Sequence, residues 1–126
     1  MSHRVLMVSL LALCAGFAGA QSAPRSRTYS GNIMDSTCAG NGNHNAGYKL
    51  TGTHTAKDCT LACIGSGAKF VLYNPSSKLT YKLDNQEEPR AFAGEAVRVT
   101  GTLDAATETI HVAKITAART NRTKKK

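Results

Sequence analysis

Three cysteines and two histidines lie close together in the chain and are the residues best suited to chemistry. Cys59 and Cys63 are four positions apart in a segment compatible with a helix, so their side chains emerge on one face, one turn apart. Cys38, His44 and His54 lie in or beside the loop that leads into this helix. Thiols and imidazoles so placed suit a disulfide, a soft-metal site or thiol redox chemistry.

A disulfide is the first interpretation of these cysteines. We predict that Cys38 pairs with Cys63, which lies beside Ile64 at the better-packed end of the helix. That bond closes a loop of about 25 residues and stabilises the fold by about 3–4 kcal/mol on chain-entropy grounds. Cys59 then remains a free thiol. A bond between Cys59 and Cys63 would distort the helix, because their Cα–Cβ bonds run nearly parallel.

The alternative interpretation is a site for a soft metal. Cys38, Cys59 and Cys63, together with His54 or with His44 in its place, would supply three sulfurs and one imidazole. Copper(I) and zinc(II) accept such ligands. A third alternative is thiol redox chemistry by the leftover cysteine. The leading interpretation requires no cofactor.

Other arrangements typical of catalysis are weak in this sequence. Gly65-Ser-Gly67 lacks the spacing of a nucleophile elbow, and no phosphate-binding loop is visible. The acidic residues are scattered among turns, and Asp35 is interpreted as a turn former at the end of a strand. Whether the protein is an enzyme is therefore uncertain, and a non-enzymatic role is favoured.

The N-terminus has the pattern of an export signal. Arg4 precedes an apolar run over residues 5–17, and Ala18-Gly-Ala20 has the small residues of a cleavage site. Residues 1–20 are therefore predicted to be a cleaved signal peptide, with Gln21 as the new N-terminus. Export to the periplasm or the extracellular medium would permit a disulfide.

The basic residues in excess lie at the two ends of the chain. The formal net charge is +8, yet all 8 acidic residues lie within 28–117, where an equal number of basic residues balances them. A neutral domain argues against specific nucleic-acid binding. We expect a flexible leader over 21–27 and a disordered basic tail over 118–126, which makes at most weak contact with anionic surfaces.

Hydrophobic alternation predicts a single small β-domain over 28–117. The predicted strands span 28–34, 69–73, 79–83, 96–103 and 109–115, with a bulge near Ala113. The 69–73 strand is apolar on both faces, so we expect a helix to cover one of them. Thr55 and Asp58 fit a capping box for a helix over 56–64, and the Gly- and Asn-rich segment 39–53 is predicted to be a long loop. The predicted fold is a five-stranded OB-like antiparallel barrel with one short helix inserted between the first and second strands.

Three segments resemble a family of short exported bacterial proteins of unknown function. They are Met34-Asp-Ser-Thr-Cys38, the run Cys59-Thr-Leu-Ala-Cys63-Ile-Gly-Ser-Gly-Ala-Lys-Phe-Val-Leu-Tyr73, and Phe92-Ala-Gly-Glu-Ala-Val-Arg-Val-Thr-Gly-Thr-Leu-Asp104. The resemblance spans about 28–117 and implies export and an OB-like barrel carrying a Cys-x3-Cys helix, but no functional residues. The leading hypothesis is an exported, non-enzymatic module of unknown ligand, stabilised by a disulfide.

Overall fold

A computed structural model describes residues 23–119, which form five strands with short helices between them. The predicted signal peptide and residues 120–126 of the basic tail lie outside the described range. Within that range, no helix combines the length and apolar character needed to cross a membrane. In chain order the elements are β1 (Arg27–Asp35), α1 (Ser36–Ala39), α2 (Asn45–Thr51), α3 (Ala56–Gly65), β2 (Phe70–Asn74), β3 (Leu79–Leu83), a 3-10 turn (Glu88–Phe92), β4 (Ala96–Asp104) and β5 (Thr109–Ala117).

The strands form a closed ring in the order β1-β2-β3-β5-β4, with β4 returning to β1. The mainly β character is therefore as predicted. The prediction of a wholly antiparallel sheet is wrong, because β3 and β5 pair in parallel through Lys82↔Thr109 and Leu83↔Ile110. The reason is geometric: strand direction cannot alternate all the way round a ring with an odd number of strands, so one neighbouring pair must be parallel.

The inward side chains of the ring form the larger of two apolar cores. Alternation along β4 buries Val97 and Val99 against Ile33 of β1 and Ile110 of β5, as period-2 patterning predicts. The predicted irregularity in β5 is confirmed: Thr100 pairs with Lys114 but Gly101 pairs with Val112, which leaves Ala113 as the extra residue of a bulge.

Strand β2 is buried on both faces, as its continuous apolar run predicts. Phe70 and Leu72 face the ring interior. Val71 and Tyr73 face the other way into a second core, which also includes Cys38 of α1 and Cys59 of α3. The helices therefore cover the outer face of β2 and share its buried surface.

The segment 39–53, predicted as one long loop, contains the last residue of α1 and all of α2, so the prediction of an uninterrupted loop is wrong. Three helices, not one, separate β1 from β2 in the chain. Asp35 caps α1, and α2 ends at Gly52, whose φ of 68° provides the left-handed conformation of a C-cap. Such short helices are marginal in isolation, so packing against α3 and the sheet is what stabilises them. The predicted α3 is confirmed, with Thr55 as its N-cap.

Gly31 marks a point in β1 where the neighbouring strand approaches closely. A Cβ at this position would lie 2.5 Å from the carbonyl oxygen of Tyr73 on β2. We expect Gly31→Ala to lower the free energy of unfolding by about 2 kcal/mol or more, since backbone must shift to relieve the clash. Urea unfolding measures the change.

Gly65→Ala at the end of α3 is the matched control for Gly31→Ala. A Cβ at Gly65 meets nothing within 4 Å, so alanine there should be neutral or stabilising by up to about 1 kcal/mol. Equal effects of the two substitutions would contradict the close approach at Gly31.

The carboxylate of Asp84 links the end of β3 to β5. It accepts a hydrogen bond from the backbone N–H of Val112 (2.8 Å) and pairs with Nδ1 of His111 (3.0 Å). The hydrogen bond from Val112 lowers the pKa of Asp84 below its ordinary 3.8. A lowered pKa means that the ionised carboxylate stabilises the fold above about pH 4, and that this stabilisation is lost as the pH falls through the lowered value.

We therefore expect Asp84→Asn to lose about 1 kcal/mol of unfolding free energy or less near pH 6, and to differ less from wild type near pH 2.5. The effect is small because the side chain is partly exposed. Asparagine keeps an oxygen that can accept from Val112, so the difference reports the charge. Parallel pH profiles for the two proteins would contradict this role.

Candidate functional site

Two helices, each begun by a side-chain cap, hold the three cysteines. An oxygen of Asp35 accepts hydrogen bonds from the backbone N–H groups of Cys38 (2.8 Å) and Thr37 (3.1 Å), which starts α1 at the end of β1. The hydroxyl of Thr55 accepts from the N–H of Asp58 (3.1 Å) and starts α3. Cys38 therefore projects from α1, while Cys59 and Cys63 project from successive turns of α3.

The three sulfurs meet in one cluster, the Cys38/Cys59/Cys63 cluster. Their Sγ atoms all lie within 4.8 Å of one another, and the Sγ atoms of Cys38 and Cys59 are 4.0 Å apart. Cys38 and Cys59 are buried and Cys63 is partly buried. The sequence-based expectation that these thiols share one site is consistent with this geometry.

All three cysteines are free thiols in this structure. The predicted bond between Cys38 and Cys63 therefore stays a prediction. The pair whose sulfurs make a direct contact is Cys38 with Cys59, and their separation of 4.0 Å compares with the roughly 2.05 Å of a disulfide. Bond formation between them would require the side chains to approach.

Helix α2 covers the sulfurs through a residue without a side chain. A Cβ on Gly47 would lie 2.5 Å from Sγ of Cys59 and 2.6 Å from Sγ of Cys38. Gly47 is buried in the middle of α2, a position where glycine is otherwise unfavourable. Its presence allows the helix backbone to rest directly on the sulfur atoms.

A second group of potential ligands overlaps the sulfur cluster at Cys38. The ligand atoms of Asp35, Cys38 and His44 lie within 4.8 Å of one another, and Nδ1 of His44 is 4.0 Å from Oδ2 of Asp35. Both of these last two atoms are buried and lack a hydrogen-bond partner among the described residues. His54, the other predicted ligand, is exposed and belongs to neither group.

The surroundings of the site suppress the charged forms of the Cys38 and Cys63 thiols. Burial, reinforced by the negative charges of Asp35 and Cys59, raises the pKa of Cys38 to about 12. Burial also raises the pKa of Cys63. The pKa of His44 is lowered by burial, which outweighs the opposite effect of Asp35, so its imidazole is neutral near pH 7. The thiols of Cys38 and Cys63 are consequently poor nucleophiles without a cation beside them.

Two members of the site were not identified from the sequence. The sequence favours a turn-forming role for Asp35; it does cap α1, but it is also fully buried beside the cysteines. The sequence predicts a loop at Gly47, although a glycine between residues that can form a helix is a signal of close packing. Both residues lie far from α3 along the chain, so the sequence alone does not show that they contact the cysteine cluster.

Gly47→Ala tests whether α2 rests on the sulfurs. The new methyl group must displace either the helix or the thiols, so we expect a loss of about 1–3 kcal/mol in unfolding free energy despite the better helix propensity of alanine. We also expect the buried thiols to react faster with iodoacetamide, because the cover is displaced. Unfolding curves and alkylation rates measure the two effects.

Gly40→Ala is the matched control for Gly47→Ala. Its nearest neighbour would be the carbonyl oxygen of Thr37 at 3.7 Å, an ordinary contact. This variant should leave thiol reactivity unchanged. If Gly47→Ala reacted at the wild-type rate with wild-type stability, α2 would not be the cover of the cluster.

Comparison with known proteins identifies a relationship but no activity. The model of a family described as "Protein of unknown function (DUF5818)" matches residues 64–118, which include β2 to β5 and begin just after Cys63. No curated protein and no solved structure matches the chain. This part of the chain is therefore similar to an uncharacterised domain family, and the cysteine cluster lies outside the match.

Proposed function

We propose that this protein binds a soft metal ion, copper(I) or zinc(II), through the thiolates of Cys38, Cys59 and Cys63. The observation that carries the proposal is the mutual approach of the three sulfurs to within 4.8 Å. Ligands bonded to one zinc at about 2.3 Å lie about 3.8 Å apart in a tetrahedron. The contact of 4.0 Å between Cys38 and Cys59 is close to that separation, so metal binding requires little rearrangement.

The composition of the site favours a soft ion over a hard one. Thiolate ligands select copper(I) and zinc(II), whereas magnesium and calcium prefer oxygen ligands. A bound cation would also reverse the electrostatic penalty on the thiolates, because it replaces their protons with positive charge beside the buried Asp35.

Metal binding is better supported than redox catalysis at these cysteines. Reactive thiols have lowered pKa values and are accessible, whereas burial raises the pKa of Cys38 to about 12 and Gly47 covers the sulfurs. We therefore propose a non-enzymatic role in holding or carrying the metal, and thiol redox chemistry ranks below it.

The proposed setting is an exported OB-like barrel. The strand order β1-β2-β3-β5-β4 supports this fold, with the helices between β1 and β2 as an insertion that bears the site. The apolar segment 5–17 followed by small residues supports export to the periplasm or the medium. The balanced charge of 28–117 supports a role without specific nucleic-acid binding.

A structural disulfide is the second candidate for the same cysteines. It is supported by the sulfur contact between Cys38 and Cys59, and in an oxidising compartment such a bond would staple α1 to α3. The module would then serve an unknown ligand through other surfaces, with Cys63 as the remaining thiol. The predicted Cys38 to Cys63 bond is the other pairing that joins these helices.

Metal titration of the reduced protein tests the proposal. We expect one zinc(II) or copper(I) per chain, and a loss of affinity of at least tenfold in each of Cys38→Ser, Cys59→Ser and Cys63→Ser, because each removes a ligand. Competition with a chromophoric chelator gives the affinities. His111→Ala, which removes a histidine that pairs with Asp84 outside the cluster, should bind as wild type.

Mass spectrometry of the mature protein, residues 21–126, which keeps three of the four cysteines, separates the two candidates when the protein is purified without reductant. A mass lower by two hydrogens, with one alkylatable thiol and no metal binding after reduction, would support the disulfide and refute the metal site. Peptide mapping would then identify whether Cys38 is bonded to Cys59 or to Cys63. Retained metal with three alkylatable thiols after its removal would support the proposal.

A further inference from the structure

We infer that His44 is the fourth ligand of the proposed metal site and that Asp35 orients its ring, which makes the site a four-coordinate Cys3His centre for zinc(II). The inference rests on the proposed function and specifies its metal. The observation behind it is that the Asp35/Cys38/His44 group and the sulfur cluster share Cys38. A ring nitrogen of His44 thus lies within 4.8 Å of a sulfur that would bind the metal.

The imidazole of His44 is held toward the site without another visible role. Its side chain is only 11% exposed, and Nδ1 has no hydrogen-bond partner within the described residues. His44 is the N-cap residue of α2, yet its side chain makes no capping hydrogen bond. Stacking on the ring of Tyr48, with centroids 5.8 Å apart, orients the imidazole instead.

The carboxylate of Asp35 is placed as a partner for that imidazole. One oxygen caps α1, while the other, Oδ2, is buried without a partner and faces Nδ1 of His44 at 4.0 Å. Histidines that bind metals almost always donate their other ring N–H to a carboxylate, carbonyl or water, which fixes the orientation of the ring. In this arrangement Nδ1–H would donate to Asp35 and Nε2 would bind the metal. Burying a carboxylate oxygen without a hydrogen-bond donor costs free energy, and a hydrogen bond from a metal-bound imidazole would reduce that cost.

The fourth ligand decides which metal the site prefers. Three thiolates alone suit copper(I), which accepts low coordination numbers, whereas three cysteines and one histidine form the closed tetrahedral set typical of structural zinc sites. Sulfur and nitrogen ligands of one zinc lie about 3.5 Å apart. His44 is grouped with Cys38 but not with Cys59 or Cys63, so its ring must move toward those two sulfurs to complete the tetrahedron. A closed set leaves no position for water, in agreement with a holding role.

Cobalt(II) and zinc(II) binding by the reduced protein tests the inference, with His44→Ala compared against His54→Ala. We expect His44→Ala to weaken zinc(II) binding at least tenfold and to shift the cobalt(II) ligand-field bands, while copper(I) affinity changes by less than about threefold. His54→Ala should bind all three ions as wild type, because His54 is exposed and lies outside both groups. Far-UV circular dichroism of the metal-free proteins checks folding.

Asp35→Asn tests the positioning role of the carboxylate. Asparagine preserves a good N-cap for α1 but removes the charge that faces His44. We expect about tenfold weaker zinc(II) binding with cobalt(II) bands that remain those of a site with nitrogen ligation. Unchanged zinc(II) affinity in this variant would refute the orienting role.

The outcomes distinguish the two proposals from each other. If zinc(II) binding depends on the three cysteines, but His44→Ala has the same zinc(II) affinity and cobalt(II) spectrum as wild type, the fourth ligand is refuted. The soft-metal proposal would still stand. Cobalt(II) bands of the wild-type protein that show sulfur ligation without nitrogen would likewise refute the Cys3His assignment. Failure of the reduced wild-type protein to bind any of the three ions would refute both.

Discussion

The contact between the sulfurs of Cys38 and Cys59, beneath Gly47, is the constraint on which the three helices depend. It joins α1, α2 and α3 at one point, since Cys38 and Cys59 belong to α1 and α3 while Gly47 belongs to α2. None of these helices exceeds 10 residues, so each is too short to be stable in isolation. The shared core around the sulfurs therefore supplies the tertiary contacts that the helices require.

The ring of strands provides the rigid support for this contact. Strand β2 is buried on both faces, with Phe70 and Leu72 in the ring interior and Val71 and Tyr73 against the helices. Any shift of β2 would disturb both cores at once, because protein interiors are close-packed and transmit displacement. The position of the cysteine cluster relative to the ring is fixed in this way.

The site carries electrostatic costs that the fold alone does not require. A fully buried carboxylate lies beside thiols and a largely buried imidazole, and Oδ2 of Asp35 and Nδ1 of His44 have no hydrogen-bond partner among the residues described. An apolar core of the same size would avoid these costs. Natural proteins break such local rules mainly at functional sites, which is why this group of residues, rather than a surface pocket, carries the functional proposal.

The sequence by itself determined the elements with strong local signals. Period-2 alternation predicted four strands, and a continuous apolar run predicted β2, all to within about two residues. The mismatch between Ile110, Val112 and Ile115 located the bulge at Ala113, and Thr55 located the start of α3. The spacing of Cys59 and Cys63 placed both thiols on one helical face.

Only the tertiary structure decided the rest. Helices α1 and α2 depend on packing rather than propensity. The parallel pair of β3 and β5 follows from closing a ring. The fold brings His44, and not His54, beside Cys38. Local patterns encode faces and caps, whereas contacts between distant segments depend on how the chain closes on itself.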